Sequence, residues 1–190
     1  MTNPLFKVTQ DVVEQLNEIL GSLQARAPSG NLTSCHTIYL NLIRTLRGSV
    51  LRKAADTADY LLNNVYRDLS NNSTAEQKRN IIDRFVQSLG AKVTATRSLK
   101  HETERLRDNV VAQAATLSQL NANSTAISNQ FTTIINGIQS IDGFYAKVRE
   151  ICARLRGEIE QTANMSIIMQ GEARWLTAVS QDYKTFSPHV

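Results

Sequence analysis

One heptad register runs without interruption from Leu99 to Ser180, and it constrains the fold of this 190-residue chain more than any other feature. Its 24 positions follow one another in alternating steps of four and three residues, and 18 of them are apolar. Such an alternation places one apolar stripe along one side of an α-helix, as in the seam of a coiled coil or of a long bundle helix. The sequence therefore predicts an all-α fold, either an elongated antiparallel helical bundle or a long coiled coil.

The strongest apolar positions of this register are predicted to form a seam, buried either in the core or in an oligomer contact. These seam residues are Leu106, Val110, Leu117, Leu120, Ile127, Phe131, Ile134, Ile138, Ile141, Tyr145, Val148, Leu155 and Ile159. Further apolar residues flank the seam, among them Ile135, Phe144 and Ile151. Because the stripe is wider than a strict heptad seam, it favours a bundle of three or more helices over a two-stranded coil.

The chain is predicted to be a single elongated helical unit over 1–190, with an N-terminal helix pair in 1–73, long heptad-bearing helices in 74–182 and a tail in 183–190. Thr9 is the predicted N-cap of the first helix. A loop follows at 27–31, where Pro28 and Gly30 lie. The second helix begins near Thr33 or Ser34, and its apolar residues recur about every 3.8 residues instead of every 3.6.

The second break is predicted at 70–73, followed by two overlapping capping boxes, Ser73 with Glu76 and Thr74 with Gln77. Beyond it, 74–182 forms either one continuous rod or a helical hairpin. The candidate turns are 121–124 and the pairs Asn136-Gly137 and Asp142-Gly143. Heptad phase is kept across all three, which favours the rod, whereas a hairpin that turns near 121 preserves the phase by coincidence of turn length.

Small residues recur on the face opposite the seam, with Gly143, Gly157 and Gly171 spaced 14 residues apart. A glycine inside a helix costs about 1 kcal/mol relative to alanine. Their presence suggests a second interface, where another helix approaches closely; the alternative is a solvated face that tolerates them. Residues 109–141 carry no charge, and 17 of these 33 are Asn, Gln, Ser or Thr. A helix face made of such neutral polar groups is either a packed surface or a solvated one tuned against self-repulsion.

Positive charge is concentrated in one span of a chain whose net charge is +4 and whose pI is about 9.2. No acidic residue lies between Glu18 and Asp56, and the candidate anion contacts in that span are Arg44, Arg47, Arg52 and Lys53. On an α-helical wheel they spread around the helix instead of forming one patch. A solvated face is one interpretation, and weak, salt-dependent contact with nucleic acid or an anionic lipid surface is the other.

No catalytic residue, cofactor site or metal site is predicted. His101-Glu102 would begin a zinc-protease motif, but the second histidine is replaced by Arg105. Cys35 and His36 are adjacent at a helix start, where a thiol pKa can be lowered. An idle buried pair is the preferred interpretation, since no third orienting group is identifiable. Tyr60, on the second helix, is assigned to the core.

These observations predict a non-enzymatic structural or scaffold subunit that assembles through long amphipathic helices into a homo- or hetero-oligomer or filament. The alternative is a helical viral capsid or nucleocapsid-like protein that contacts nucleic acid through 26–53. A membrane-active helical protein is a third class, but neither an apolar hairpin nor a one-sided basic helix is evident. The N-terminus does not resemble a signal peptide, so a cytoplasmic or virion location is expected.

Overall fold

The fold is all-α. The computed structural model describes residues 6–26, 34–71, 73–116 and 124–190, and these form five helices. Helix α1 is Gln10–Arg26, α3 is Ala75–Thr116, α4 is Ser124–Gly157 and α5 is Thr162–Thr185. Helix α2 runs over 35–70 and consists of the α-helical segments Cys35–Thr45, Arg52–Tyr60 and Tyr66–Ser70, separated by π-helical turns at Leu46–Leu51 and Leu61–Val65.

The starts of two helices are set by local capping, as the sequence predicts. The Thr9 hydroxyl accepts a hydrogen bond from the Val12 backbone N–H at 3.2 Å, so Thr9 is the N-cap of α1. At α3 the predicted box of Thr74 and Gln77 forms: Gln77 Oε1 accepts from the Thr74 N–H at 2.9 Å, and Thr74 Oγ1 accepts from the Gln77 N–H at 3.1 Å. Two N–H groups that lack intrahelical partners are thereby satisfied.

The two π turns explain the unusual spacing of the apolar stripe on α2. A π turn closes its hydrogen bond five residues along the chain, one more than an α turn, and so accommodates an extra residue. An apolar stripe that advances 3.8 residues per step therefore stays on one side of α2. All ten residues of this stripe are buried: Cys35, Tyr39, Leu42, Leu46, Val50, Ala54, Ala58, Leu61, Val65 and Leu69.

Helices α3 and α4 form an antiparallel hairpin and not the continuous rod that the unbroken heptad phase favoured. Two ion pairs fix the direction, because Arg97 contacts Asp142 at 3.1 Å while Arg156 contacts Asp83 at 2.9 Å. The residues that join the two helices, 117–123, are outside the described part of the chain. A second change of direction, which the sequence did not reveal, follows at 158–161, where the Gln161 N–H bonds the Glu158 carbonyl at 2.9 Å.

The helices pack as a four-helix bundle in which α2, α3 and α4 each occupy one position. Helices α1 and α5 share the fourth position, one after the other along α2. Helix α5 runs along the second half of α2, where Lys184 contacts Asp59 at 2.7 Å. Helix α1 runs along the first half, where the Tyr39 hydroxyl donates to the Val13 carbonyl at 2.7 Å. The end of α5 meets the start of α1, and Gln10 Nε2 donates to the Thr185 carbonyl at 3.3 Å.

The last residues of the chain take part in this junction. Phe186 is buried, and its ring packs edge-on against Phe6 with centroids 5.0 Å apart. The His189 backbone N–H donates to Glu14 at 2.9 Å. Residues 186–190, part of the predicted tail, therefore connect α5 to α1 and the segment before it.

Gly137 is required by this same N-terminal segment and does not mark a turn. A Cβ on Gly137 would collide with the Val8 side chain and lie 3.1 Å from the Phe6 ring. Both Phe6 and Val8 are buried. The Asn136-Gly137 and Asp142-Gly143 pairs, two of the candidate turns, lie inside α4 and are not turns. Gly137 is small because segment 6–9 crosses α4 in close contact.

We expect Gly137→Ala to lower the free energy of unfolding by about 1–3 kcal/mol, because the added methyl group overpacks a filled site. Gly90→Ala is the matched control, since a Cβ there meets nothing within 4 Å. It should raise stability by up to about 1 kcal/mol through helix propensity. Urea unfolding followed by far-ultraviolet circular dichroism measures both. Equal stabilisation by the two alanines would contradict the placement of segment 6–9.

Candidate functional site

The predicted seam lies inside the chain's own bundle. Eleven of its thirteen residues are buried: Leu106, Val110, Ile127, Phe131, Ile134, Ile138, Ile141, Tyr145, Val148, Leu155 and Ile159. Leu117 and Leu120 are outside the described residues. The hairpin, α2 and the split fourth position together cover the stripe; Phe131, for example, meets Tyr39 of α2 edge-on at 6.1 Å. The seam is therefore used within one chain, and a contact with another chain would have to use the outer faces.

The three glycines of the predicted second interface are exposed in the single chain. A Cβ on Gly143, Gly157 or Gly171 would meet nothing within 4 Å, apart from its own helix backbone. No close intramolecular approach therefore accounts for glycine at these positions, in contrast to Gly137. A contact of this face with another chain stays a prediction.

Two of these glycines lie beside the most exposed large apolar side chain in the described part of the chain. Ile167 is 67% exposed, and it lines a depression of about 470 Å³ together with Gly157, where α4 turns into α5. Gly171 is four residues after Ile167 and thus on the same face of α5. We call Gly157, Ile167 and Gly171 the corner patch. Gly143 is two heptads, about 21 Å, along α4 from Gly157 and is not part of it.

The structure brings together two of the four predicted anion contacts. Arg47 and Arg52 line one depression of about 360 Å³ between α2 and the end of α5. Arg44 and Lys53 are exposed on the same helix but do not line it. The α-helical wheel separates Arg47 from Arg52, and the π turn at Leu46–Leu51 corrects that expectation. We call this feature the arginine depression.

An ion pair between α2 and α5 holds Lys184, which lines the arginine depression. Lys184 Nζ contacts Asp59 Oδ2 at 2.7 Å, and the Ser180 hydroxyl donates to Asp59 Oδ1 at 2.6 Å. Burial alone would raise the pKa of Asp59. The hydrogen bonds from Lys184 and Ser180 outweigh burial, however, and lower the pKa below its usual value. The charged form of Asp59 is thus favoured in the folded state.

The adjacent Cys35 and His36 are packed against α1. Burial raises the pKa of the Cys35 thiol, which is opposite to the shift that activates a nucleophile. His36 Nε2 lies 2.6 Å from Asn17 Oδ1. Burial also raises the pKa of Cys152, to about 12. Within 6–26, 34–71, 73–116 and 124–190 no cluster of three or more His, Cys, Asp or Glu side chains could hold a metal ion.

Sequence reasoning missed a groove between α2 and α3. Tyr60, assigned to the core, is 51% exposed, and its ring stacks on Phe85 at 6.0 Å. The two rings line a depression of about 720 Å³ together with Arg84 and Lys92. Lys92 Nζ donates to Thr57 Oγ1 at 3.1 Å. The stripe of α2 gave no signal for this exposure, because Tyr60 lies at its edge.

Comparisons with known proteins add no family to this description: no family model, curated protein or solved structure matches the chain. None of the helices in the described part of the chain is long and apolar enough to cross a membrane.

The Asp59 contact generates a pH-dependent prediction. Because the pKa of Asp59 is lowered by folding, its contribution is complete above the unfolded value of about 4 and is lost as the pH falls through the folded value. Asp59→Asn should reduce stability at pH 7 by about 1 kcal/mol, a modest amount because the carboxylate is 37% exposed. The difference from wild type should vanish in strong acid.

Thermal unfolding across this pH range measures the effect, with Lys184→Gln as the partner variant. In the Lys184→Gln background, Asp59→Asn should destabilise less than it does in wild type. An Asp59→Asn effect of the same size at neutral and acid pH would show that shape, not charge, is responsible.

Proposed function

We propose that this chain is a non-enzymatic structural subunit that assembles with further copies of itself through outer helix faces. The observation that supports the proposal is the corner patch. Ile167 is 67% exposed beside Gly157 and Gly171, at positions where the fold itself has no need of glycine. Glycines allow a neighbouring helix to approach closely, and burial of the exposed isoleucine against that helix would stabilise the contact.

The composition of α4 is consistent with the same function. Its outward-facing residues from 125 to 146 are all uncharged: Thr125, Ala126, Asn129, Thr133, Asn136, Gln139, Gly143 and Ala146. Asp142, the charged residue of this stretch, is bonded to Arg97. An outer face without charge approaches a copy of itself without electrostatic repulsion.

The expected contact is weak for a single pair of chains. Burial of one isoleucine contributes about 1.5–3 kcal/mol, which is less than a stable dimer needs. A chain that also contacts a neighbour through the uncharged outer face of α4 has two contacts, so an ordered array of many copies can be stable where a dimer is not. We therefore expect association that rises steeply with protein concentration.

Light scattering coupled to size exclusion, over a range of protein concentrations, tests this proposal. Ile167→Lys should abolish the concentration-dependent increase in mass, because it places a charge in the contact. Gly171→Leu should weaken it through overpacking. The matched control is Ile38→Lys. Ile38 is another exposed isoleucine, 43% exposed, and it lies near the start of α2.

Ile38→Lys should leave association unchanged. A wild-type chain that stays monomeric at every concentration contradicts self-assembly. Association that survives both Ile167→Lys and Gly171→Leu contradicts the corner patch as its site. Circular dichroism of each variant confirms that the helices are intact.

The second candidate function is the contact of 26–53 with nucleic acid. It is favoured by Arg44, Arg47, Arg52 and Lys53, whose side chains are all exposed. A nucleic-acid backbone needs a row of cations, and each phosphate contact steepens the salt dependence of binding. Arg47 and Arg52 line one concave depression, and this arrangement favours a single anionic group over a polymer.

A further inference from the structure

Arg47 and Arg52 line the same depression because the first π turn of α2 lies between them. In an α-helix, residues five apart lie about 140° apart around the axis, since each residue advances about 100°. A π turn bonds residues five apart and so brings them closer to the same side of the helix. The turn at Leu46–Leu51 begins before Arg47 and ends directly before Arg52. The extra residue thus converts two divergent arginines into a pair, and π turns recur at functional sites in proteins.

The arginine depression is a concave site with a cationic excess. Within the described part of the chain, neither guanidinium has a hydrogen-bond or ion-pair partner. The charged groups that face the depression are Arg47, Arg52 and Asp56 from α2 and Lys184 from α5. Lys184 is neutralised by Asp59. Asp56 offsets one arginine, so one positive charge remains in excess.

The wall from the end of α5 supplies a further donor and apolar surface. Tyr183, Phe186 and Ser187 all line the depression. Tyr183 is 2% exposed, so it contributes ring surface to this wall and no accessible hydroxyl. Gly48, on the α2 side, would have open space around an added Cβ. The volume of about 360 Å³ is that of a small-molecule site.

We propose that the arginine depression binds the phosphate group of a small phosphomonoester. The guanidinium is planar and offers paired N–H donors that match phosphate oxygens. A phosphomonoester is an anion at neutral pH, so the excess positive charge of the depression favours it. The hydroxyl of Ser187 is a third donor in the wall. Arg44 and Lys53 lie outside the depression, so it accommodates one phosphate group and not a polymer backbone.

Binding also has a structural consequence. The depression lies where α5 ends and the chain crosses toward α1, so its two sides belong to different elements. A phosphate held between α2 and 183–187 would connect these elements and favour the folded state. Phosphate should therefore raise the thermal midpoint, by an amount that grows with the logarithm of its concentration above the Kd.

Calorimetric titration and thermal melting of the full chain with inorganic phosphate test the proposal, with chloride at equal ionic strength as the reference. We expect phosphate to raise the melting temperature and chloride to leave it unchanged. Arg47→Gln and Arg52→Gln should each weaken phosphate binding at least tenfold. The matched control is Arg44→Gln, which removes the same charge from the same helix and should change the affinity by less than twofold. Circular dichroism verifies the fold of each variant.

Two further probes distinguish the source of the phosphate. A nucleoside monophosphate should compete with inorganic phosphate, whereas a single-stranded oligonucleotide and phosphatidylserine vesicles should bind more weakly than the monophosphate. Equal losses of affinity in Arg44→Gln and Arg47→Gln would show a diffuse electrostatic effect and overturn the proposal. Preferential binding of the oligonucleotide or of the vesicles would overturn it as well, as would the absence of any phosphate effect on melting.

Discussion

Burial of the long apolar stripe is the constraint on which the rest of the structure depends. A helix that carried the stripe from Leu99 to Ser180 as one rod would leave it exposed to water along its whole length. Folding the chain back after Thr116 and again after Gly157 places the stripe in the centre of a bundle, where Phe131 and Tyr145 are at most 1% exposed. Each fully buried side chain of this size contributes about 1.5–3 kcal/mol. The hairpin follows from that gain.

Helices α1, α2 and α5 complete the burial of the stripe, and two features of the fold follow from this. Helix α2 must stay in contact with the hairpin over 36 residues, and its π turns keep a stripe with 3.8-residue spacing on one side. Neither α1 nor α5 alone is as long as α2, so both together fill the fourth position. The end of α5 therefore lies beside the first π turn of α2, and the arginine depression forms between them. The concave site is a consequence of how the core is covered.

Much of the helical structure could be predicted from the sequence, because capping and periodicity are local signals. Thr9 and Thr74 set helix starts through neighbours three residues away. The 3.8-residue spacing of the α2 stripe already reflected the extra residue that each π turn accommodates. The antiparallel packing of α3 against α4, in contrast, depends on contacts between residues that are far apart in the sequence. The connection between α3 and α4 has a length that keeps the heptad phase. The phase therefore did not indicate that the chain reverses direction there. Gly137 and Gly143 look alike in sequence, yet one lies beneath Val8 and the other is open.

The central claim, that one chain covers its own seam through a hairpin, is tested most directly by an intramolecular distance. Spin labels on cysteines introduced at Gln87 of α3 and Ala153 of α4, both exposed, report it by pulsed electron resonance, with labelled protein diluted into unlabelled protein. The native Cys35 and Cys152 are buried. Adjacent antiparallel helices place the labels within about 25 Å, given axes about 8–10 Å apart. A continuous helix would separate them by about 100 Å, and the loss of the short distance on dilution would contradict the account.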